Sequence, residues 1–547
     1  MHPRKISRSV ALLALTAALA VPVSLLGTAG PAGATAAGPR NTDFNGDGYN
    51  DLAVSNGWYP VGPGTQLGVT AVLYGGPGGL TGHHLIRPQG DCGPVGTNGQ
   101  RSGPCRYWGH GLGAGDADGN GRTDLFVSGL GDVHALSWLP TGFGTLQRHH
   151  SPGFIDFTMV VGQFGGQFGT DVLSANVVQG TSTPWAGISG WYDGQEFRQA
   201  PLPSDTHLVQ AVPRSMVSGD LNRDGDQEIA LLQNRSLRDN SSGREWYEHH
   251  LLIADDPHDP PMMVTTLGSP AICASPVAAH KVCPEQDSQV VTGDVNGDTH
   301  TDLVMATPSR HTLHVWLGSA TGLSRTPSYS ARDQLWLTDV AFRGLATGDI
   351  NGDGADEIAI GKPKAGESTS GEVVLIPGAR TGPAPADGQV ITQDGVRPLY
   401  GPAPTPTVSA TPTVTPTVSA TPSPTPTVSA TPTVSATPGP VVTFDDKPTE
   451  EPPALTAQWT TGMTSDPIGE QSQPGDRFGQ SVSILDVTGD GKAELIVGAP
   501  GKNRIAGMLA VLRGTPDGLS TAQAQIVHPA QAGMNFPSAE LGLSLLR

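Results

Sequence analysis

A short acidic phrase returns along the whole chain, and any fold must accommodate every copy of it. It reads DFNGDGYNDLAV from Asp43, DADGNGRTDLFV from Asp116, DLNRDGDQEIAL from Asp220, DVNGDTHTDLVM from Asp294, DINGDGADEIAI from Asp349 and DVTGDGKAELIV from Asp486. A seventh, degraded copy, QFGGQFGTDVLS from Gln163, keeps Asp171 and the apolar tail but has lost the other acids. Successive starts lie 73, 47, 57, 74, 55 and 137 residues apart, and a low-complexity insert accounts for the last, long interval. Periods of this size belong to stacked or radial units, each too small to bury a core alone.

What lies between the copies is strand, not helix. Each phrase runs into alternating apolar residues such as Leu495-Ile496-Val497, and outer strands follow, as at Val69–Leu73, Leu313–Leu317 and Met508–Leu512. With 73 glycines, 49 prolines and only 15% charged residues, the chain favours short strands joined by turns. About four strands per unit without helical periodicity describe a propeller blade. The expectation is therefore an all-β, seven-bladed β-propeller, with blades 1–6 over 40–400 and the seventh blade and closing strand over 455–547.

Counting the first Asp of each phrase as position 1, oxygen-bearing side chains fall at positions 1, 3, 5 and 9, and position 7 can add its backbone carbonyl. Hard oxygen donors at this spacing suit Ca²⁺. The sets, with the carbonyl residue fourth, are Asp43, Asn45, Asp47, Tyr49 and Asp51; Asp116, Asp118, Asn120, Arg122 and Asp124; and Asp220, Asn222, Asp224, Asp226 and Glu228. The remaining three are Asp294, Asn296, Asp298, His300 and Asp302; Asp349, Asn351, Asp353, Ala355 and Glu357; and Asp486, Thr488, Asp490, Lys492 and Glu494. Glycine at position 6 permits the sharp turn, and the Asp294 loop departs from this with Thr299. Each set brings three carboxylates together, eighteen in all against a formal charge of -19, and such crowding is unfavourable without a cation. An EF-hand would need a bidentate Glu at position 12, where this chain has Val54, Val127, Leu231, Met305, Ile360 and Val497. The competing reading is an Asx-type turn that holds no metal.

The last unit places Phe478-Gly479 before its aspartate loop and Gly498-Ala499-Pro500 after it, and so resembles the FG-GAP repeat of integrin α-subunit heads and many bacterial exported proteins. Elsewhere the likeness is looser: Trp108-Gly109 stands for Phe-Gly in the second unit, and Gly361-Lys362-Pro363 for Gly-Ala-Pro in the sixth. The resemblance implies a calcium-stabilised propeller that binds partners through loops on one face. Within the chain itself, Leu541-Gly542-Leu543-Ser544 parallels Phe478-Gly479-Gln480-Ser481, while the first unit begins at its aspartate loop with no strand before it. A C-terminal strand completing the first blade would close the ring.

The flanking features concern location. Arg4, Lys5 and Arg8 precede an apolar run from Val10 to Leu26 and A-x-A sites ending at Ala34 and Ala36, which reads as a signal peptide over 1–36, with an N-terminal membrane anchor as the alternative. No further segment is apolar enough for a membrane span, so a secreted protein is expected. Cys92 with Cys105 and Cys273 with Cys283 form close couples suited to disulfides in an oxidising compartment, and their spacing does not fit zinc. The Thr/Pro/Ser-rich stretch within 402–440 lacks charge in its repeats and reads as an extended, disordered insert open to O-glycosylation.

An acidic surface disfavours nucleic acid as a partner. The histidine pairs His83-His84, His149-His150 and His249-His250 fall on expected outer strands, and the glycines at 109, 111 and 113 precede an aspartate loop, not a helix. No G-x-S-x-G or H-E-x-x-H motif occurs. The expected function is a noncatalytic binding or adhesion-type module for an extracellular protein or glycan. A polysaccharide hydrolase or lyase on the same scaffold is the alternative, because scattered carboxylate pairs suffice for that chemistry.

Overall fold

The computed structural model describes residues 42–56, 68–88, 108–129, 132–150, 154–163, 171–178, 188–192, 195–200, 213–239, 244–254, 264–267, 272–273, 288–332, 334–341, 344–364, 370–399, 471–536 and 539–546. The expected signal peptide and insert, together with Cys92, Cys105 and Cys283, lie outside them; of Cys273 only the backbone is described.

Thirty strands follow one another among the described residues. The first group is β1 (Leu52–Asn56), β2 (Val69–Tyr74) and β3 (Gly82–Ile86), and the second is β4 (Leu112–Gly115), β5 (Asp124–Gly129), β6 (Asp132–Leu139) and β7 (Gly142–His150). Next come β8 (Phe154–Gly162), β9 (Asp171–Val178), β10 (Ile188–Tyr192) and β11 (Gln195–Ala200). The following group contains β12 (Pro213–Gly219), β13 (Glu228–Asp239), β14 (Arg244–Ala254), β15 (Val264–Leu267) and β16 (Ile272–Cys273). Then come β17 (Gln289–Gly293), β18 (Asp302–Thr307), β19 (Thr312–Trp316) and β20 (Tyr329–Ala331), followed by β21 (Leu345–Gly348), β22 (Glu357–Lys362), β23 (Glu372–Ile376), β24 (Gln389–Thr392) and β25 (Gly395–Pro398). The last are β26 (Ser481–Leu485), β27 (Glu494–Gly498), β28 (Leu509–Thr515), β29 (Gly518–Val527) and β30 (Ser544–Leu545).

β4–β7, β12–β15, β17–β20, β21–β25 and β26–β29 are antiparallel meanders in which the aspartate loop joins the first strand to the second, as between β4 and β5 or β26 and β27, while in the first group the loop leads into β1. The strand that leaves the loop is buried on both faces, as in β5, β18 and β27, because each sheet is covered by its two neighbours. One buried cluster packs Leu52, Val54 and Val69 against Val487, Ile496 and Leu509, joining the first and last sheets. Comparable clusters join the last sheet to β21–β25, that sheet to β17–β20, and β17–β20 to β12–β15. Sheets packed in this radial succession form an all-β propeller.

Closure follows the expectation. β30 is hydrogen-bonded to β1, with Val54 opposite Leu545 and Ser55 opposite Ser544, so the first sheet has the order β3-β2-β1-β30. The parallel drawn between Leu541-Gly542 and Phe478-Gly479 is also physical. Phe478 bridges to Gly371 and Leu541 to Gly507, each at the start of the third strand of the preceding unit. A Cβ on Gly361 would collide with the Gly479 carbonyl, and one on Gly498 with that of Gly542. The Phe-Gly turn of one blade thus rides on the Gly-x-Pro corner of the blade before it, which is why neither glycine can carry a side chain.

The blade count is corrected. Among the described residues there are six sheets of four or five strands, not seven. At the degraded copy the chain forms two separate two-stranded ladders, β8–β9 and β10–β11, with β8 lying beside β4 and β12. The copy there has Gln163 and Gln167 at positions 1 and 5, where every other loop has Asp or Asn. A full blade was expected from period alone, and this unit keeps Asp171 at position 9 but lacks the acids of positions 1 and 5 found in the other loops.

Candidate metal loops and their neighbours

The six aspartate loops share one hydrogen-bond scheme, and it can be read position by position. Position 1 caps the turn: Asp43 Oδ2 accepts the Gly48 N–H at 2.8 Å, and Asp116, Asp294, Asp349 and Asp486 do the same for their own position 6 at 2.7 to 2.9 Å. In the Asp220 loop the same bond is longer, 3.2 Å. The side chain at position 3 accepts the N–H of position 5, as Asn351 does from Asp353 at 2.8 Å. Position 5 in turn accepts the N–H of position 7, as Asp298 does from His300 at 2.9 Å. Thr488 departs from the scheme and donates instead to the Asp486 and Glu494 carboxylates.

This winding requires left-handed backbone at two positions. Position 6 is left-handed, as expected, and so is position 4, where Gly46, Gly119, Gly297, Gly352 and Gly489 have φ of 69 to 78°. Two loops carry side chains there at a conformational cost: Arg223 at position 4 with φ 59°, and Thr299 at position 6 with φ 72°.

Position 2 is apolar in every loop and sinks into the core, from Phe44 at 0% exposure to Ala117 at 4%. Its N–H donates to one oxygen of the position 9 carboxylate in all six, from Phe44 to Asp51 at 3.1 Å through Leu221 to Glu228 at 2.7 Å. Position 9 is consequently buried: Asp51, Asp124, Glu228, Asp302, Glu357 and Glu494 are all at most 4% exposed. Burial, reinforced by the neighbouring acids, pushes Asp51 and Asp302 up to about 7 and Glu357 and Glu494 up to about 8, and raises Asp124 as well. The second oxygen has a different task in each acid type. In Asp51 and Asp302 it accepts the N–H of Gly75 and Gly318 at 3.0 and 2.7 Å. In the longer Glu228, Glu357 and Glu494 it accepts from the position 3 side chain.

A hard divalent cation fits this donor set. Each carboxylate used by a backbone N–H retains lone pairs, and the ligand atoms of Asp116, Asp118 and Asp124 all lie within 4.8 Å of one another. Asp220 Oδ1 is buried and has no hydrogen-bond partner, whereas Asp124 is held by the Ala117 N–H and the Ser137 side chain. Orphaned carboxylate oxygens beside further acids are costly unless a positive charge faces them.

Sequence reasoning placed the side chains of positions 1, 3, 5 and 9 together but missed the residues that link one loop to the next. The position 7 side chain lies over position 4 of the preceding loop: the Tyr49 ring over Gly489, the Arg122 guanidinium by Gly46, and the Lys492 stem on Gly352. A glycine at or near the end of the third strand in four units, Gly75, Gly318, Gly378 or Gly514, is pressed against a position 8 residue of its own unit, and Gly75, Gly378 and Gly514 also against position 2 of the unit before. The recurrence of this glycine in LYG, WLG, IPG and LRG was the available signal.

Comparison with known proteins agrees with the motif. The FG-GAP repeat model matches residues 39–73 and 478–512, and the FG-GAP-like repeat model matches 294–360. The chain thus carries FG-GAP and FG-GAP-like repeats within a β-propeller fold. Curated proteins yielded no match. Among solved structures, one similar chain is a lectin of Agrocybe aegerita described as recognising non-reducing terminal N-acetylglucosamine. It is 10% identical, with 91% of this chain and 95% of that chain covered and a TM-score of 0.43. Another is the biofilm matrix protein Bap1 of V. cholerae, 11% identical, with 54% and 42% covered and a TM-score of 0.24. No helix among the described residues is long and apolar enough to cross a membrane.

Proposed function

We propose that this propeller is an exported, calcium-stabilised, noncatalytic binding module whose partner is an extracellular protein or glycan. The observation that carries the reading is the use made of its perturbed acids. Catalytic carboxylates are marked by raised values in a cleft, yet among the described residues every carboxylate pushed above its ordinary range is position 9 of an aspartate loop. Their burial is spent on clamping the hairpin that leads into the core, which supports a structural role for the ion.

Ca²⁺ would be held by the side chains of positions 1, 3, 5 and 9 with the position 7 carbonyl, and supplies the charge that these oxygens otherwise lack. The positively charged, apolar leader at the N-terminus and the couples of cysteines support export to a calcium-rich, oxidising compartment. Binding, and not turnover, fits a scaffold in which the conspicuous chemistry is used to hold the loops. The reading is tested by glycan and protein arrays probed with the purified secreted chain in millimolar Ca²⁺, run beside a polysaccharide hydrolysis screen. Saturable binding without product release is expected; release of oligosaccharides would overturn the noncatalytic assignment.

A further inference from the structure

The aspartate loops do not stand alone at their hairpin tips; they touch head to tail around the propeller. In the Asp349 loop, the position 8 N–H of Asp356 donates to the carbonyl of Asp294, position 1 of the preceding loop, at 2.7 Å. In the Asp486 loop, the N–H of Ala493 donates to the carbonyl of Asp349 at 2.8 Å. The Asp43 loop makes the same connection through a side chain, with Asn50 Nδ2 donating to the Asp486 carbonyl at 3.0 Å. Even the degraded copy keeps the bond, since the Gln227 N–H reaches the Gln163 carbonyl at 2.7 Å.

The position 8 N–H and the position 7 carbonyl belong to one peptide group. That group is planar and trans, so its N–H and C=O point in opposite directions. When the N–H is anchored to the previous loop, the carbonyl is turned toward its own loop. One rigid unit therefore joins a proposed ligand of one ion to the backbone of the residue whose carboxylate faces the next. The side chains repeat the connection independently, because position 7 also covers position 4 of the preceding loop. Position 4 is left-handed and lies between the side chains of positions 3 and 5.

We infer that calcium sites in adjacent loops are coupled: filling one fixes the position 7–8 peptide and so favours the ligand arrangement of its neighbour. The inference rests on the calcium reading of these loops and adds to it a nearest-neighbour cooperativity running from the Asp294 loop through the Asp349 and Asp486 loops to the Asp43 loop. Coupling of this kind is reciprocal, and values of 1–3 kcal/mol correspond to roughly 5- to 150-fold in affinity.

Tyr49 offers a local readout, since its ring lies over Gly489 and its carbonyl belongs to the Asp43 loop. Tb³⁺, an oxygen-seeking stand-in for Ca²⁺, is titrated into the calcium-depleted full chain, and the luminescence lost in a Tyr49→Phe variant is taken as the signal from these two loops. The titration is repeated with the Asp349 loop disabled by Asp349→Asn and Asp353→Asn, and separately with the distant Asp220 loop disabled by Asp220→Asn and Asp224→Asn. Coupling predicts a midpoint raised about threefold or more by the adjacent pair and distinctly less by the distant pair. A smaller shift from the adjacent pair overturns the inference. So do equal shifts from the two pairs, which would report general loss of structure. Absence of Tb³⁺ binding by the unmodified chain would instead sink the calcium reading itself.

Discussion

Thr299 shows how far a single side chain can depart from the loop's needs. It sits at position 6 with φ 72°, in the left-handed region where a β-branched residue is strained, yet its N–H still reaches Asp294 Oδ2 at 2.7 Å. Replacing it with glycine relieves about 1–2 kcal/mol of strain and adds unfolded-state freedom worth about 0.5–1 kcal/mol. Thr299→Gly is therefore expected to raise stability by up to about 1 kcal/mol, read as a higher midpoint in urea, and a lower midpoint would contradict the strain.

The position 9 acids make a second prediction at the residue scale. Their folded values of about 7 to 8 lie above the ordinary carboxylate range near 4, so the proton is held more tightly in the folded state. For groups raised in this way the stabilisation is complete at low pH and is lost as pH rises through the folded value. In EDTA, melting temperature should fall between about pH 5 and pH 8.5; with millimolar Ca²⁺ the fall should flatten, because the ion takes the place of the protons. A metal-free melting temperature that climbs across this window would contradict the assignment.

Between elements, one buried ion pair stands out. Lys502 is fully buried in the turn after Gly498-Ala499-Pro500, with its Nζ 3.0 Å from Asp476 Oδ2, 3.0 Å from Gln393 Oε1 and on the Gln471 carbonyl. It ties the β27–β28 turn, together with the segment before β26, to the β24–β25 turn of the blade before. Lys502→Ala would leave Asp476, 3% exposed, as a buried charge without its cation, and a loss of about 3–5 kcal/mol is expected. A calorimetric melt of the variant checks this, and a loss within about 0.5 kcal/mol, the range of ordinary surface changes, would contradict it.

At this same scale the sequence was informative in some places and silent in others. The loops, the strands that leave them and the Leu541-Gly542 echo of Phe478-Gly479 were legible because each rests on local spacing. Lys502 and Asp476 were not, since their pairing depends on how a turn folds back across a blade boundary. The glycines at 75, 318, 378 and 514 recur in sequence, but their reason lies in carbonyls contributed by other parts of the chain. The degraded copy misled because period survives the loss of acids more readily than a blade does: Gln163 keeps its carbonyl bond to Gln227 while β8–β9 and β10–β11 remain separate ladders.

For the whole molecule, closure depends on a short terminal segment. β30 supplies the innermost strand of the first sheet, Leu546 donates its N–H to the Ala53 carbonyl at 2.9 Å, and Ser483 Oγ in β26 donates to the Leu546 carbonyl at 2.9 Å. Deleting 536–547 should therefore lower stability across the propeller in one transition, measured by hydrogen exchange at β1 and β26 together. Unchanged protection at both strands would refute closure by this segment.

Clustered acids held in six loops are the centre of the proposed function, in which a cation neutralises each cluster. The most direct test is metal analysis of the purified chain at pH 7.5, followed by thermal unfolding with EDTA and with millimolar Ca²⁺. Bound calcium approaching the number of intact loops, and a melting temperature raised by its return, is the predicted result. A chain that holds no divalent ion under these conditions and melts identically in both would contradict it.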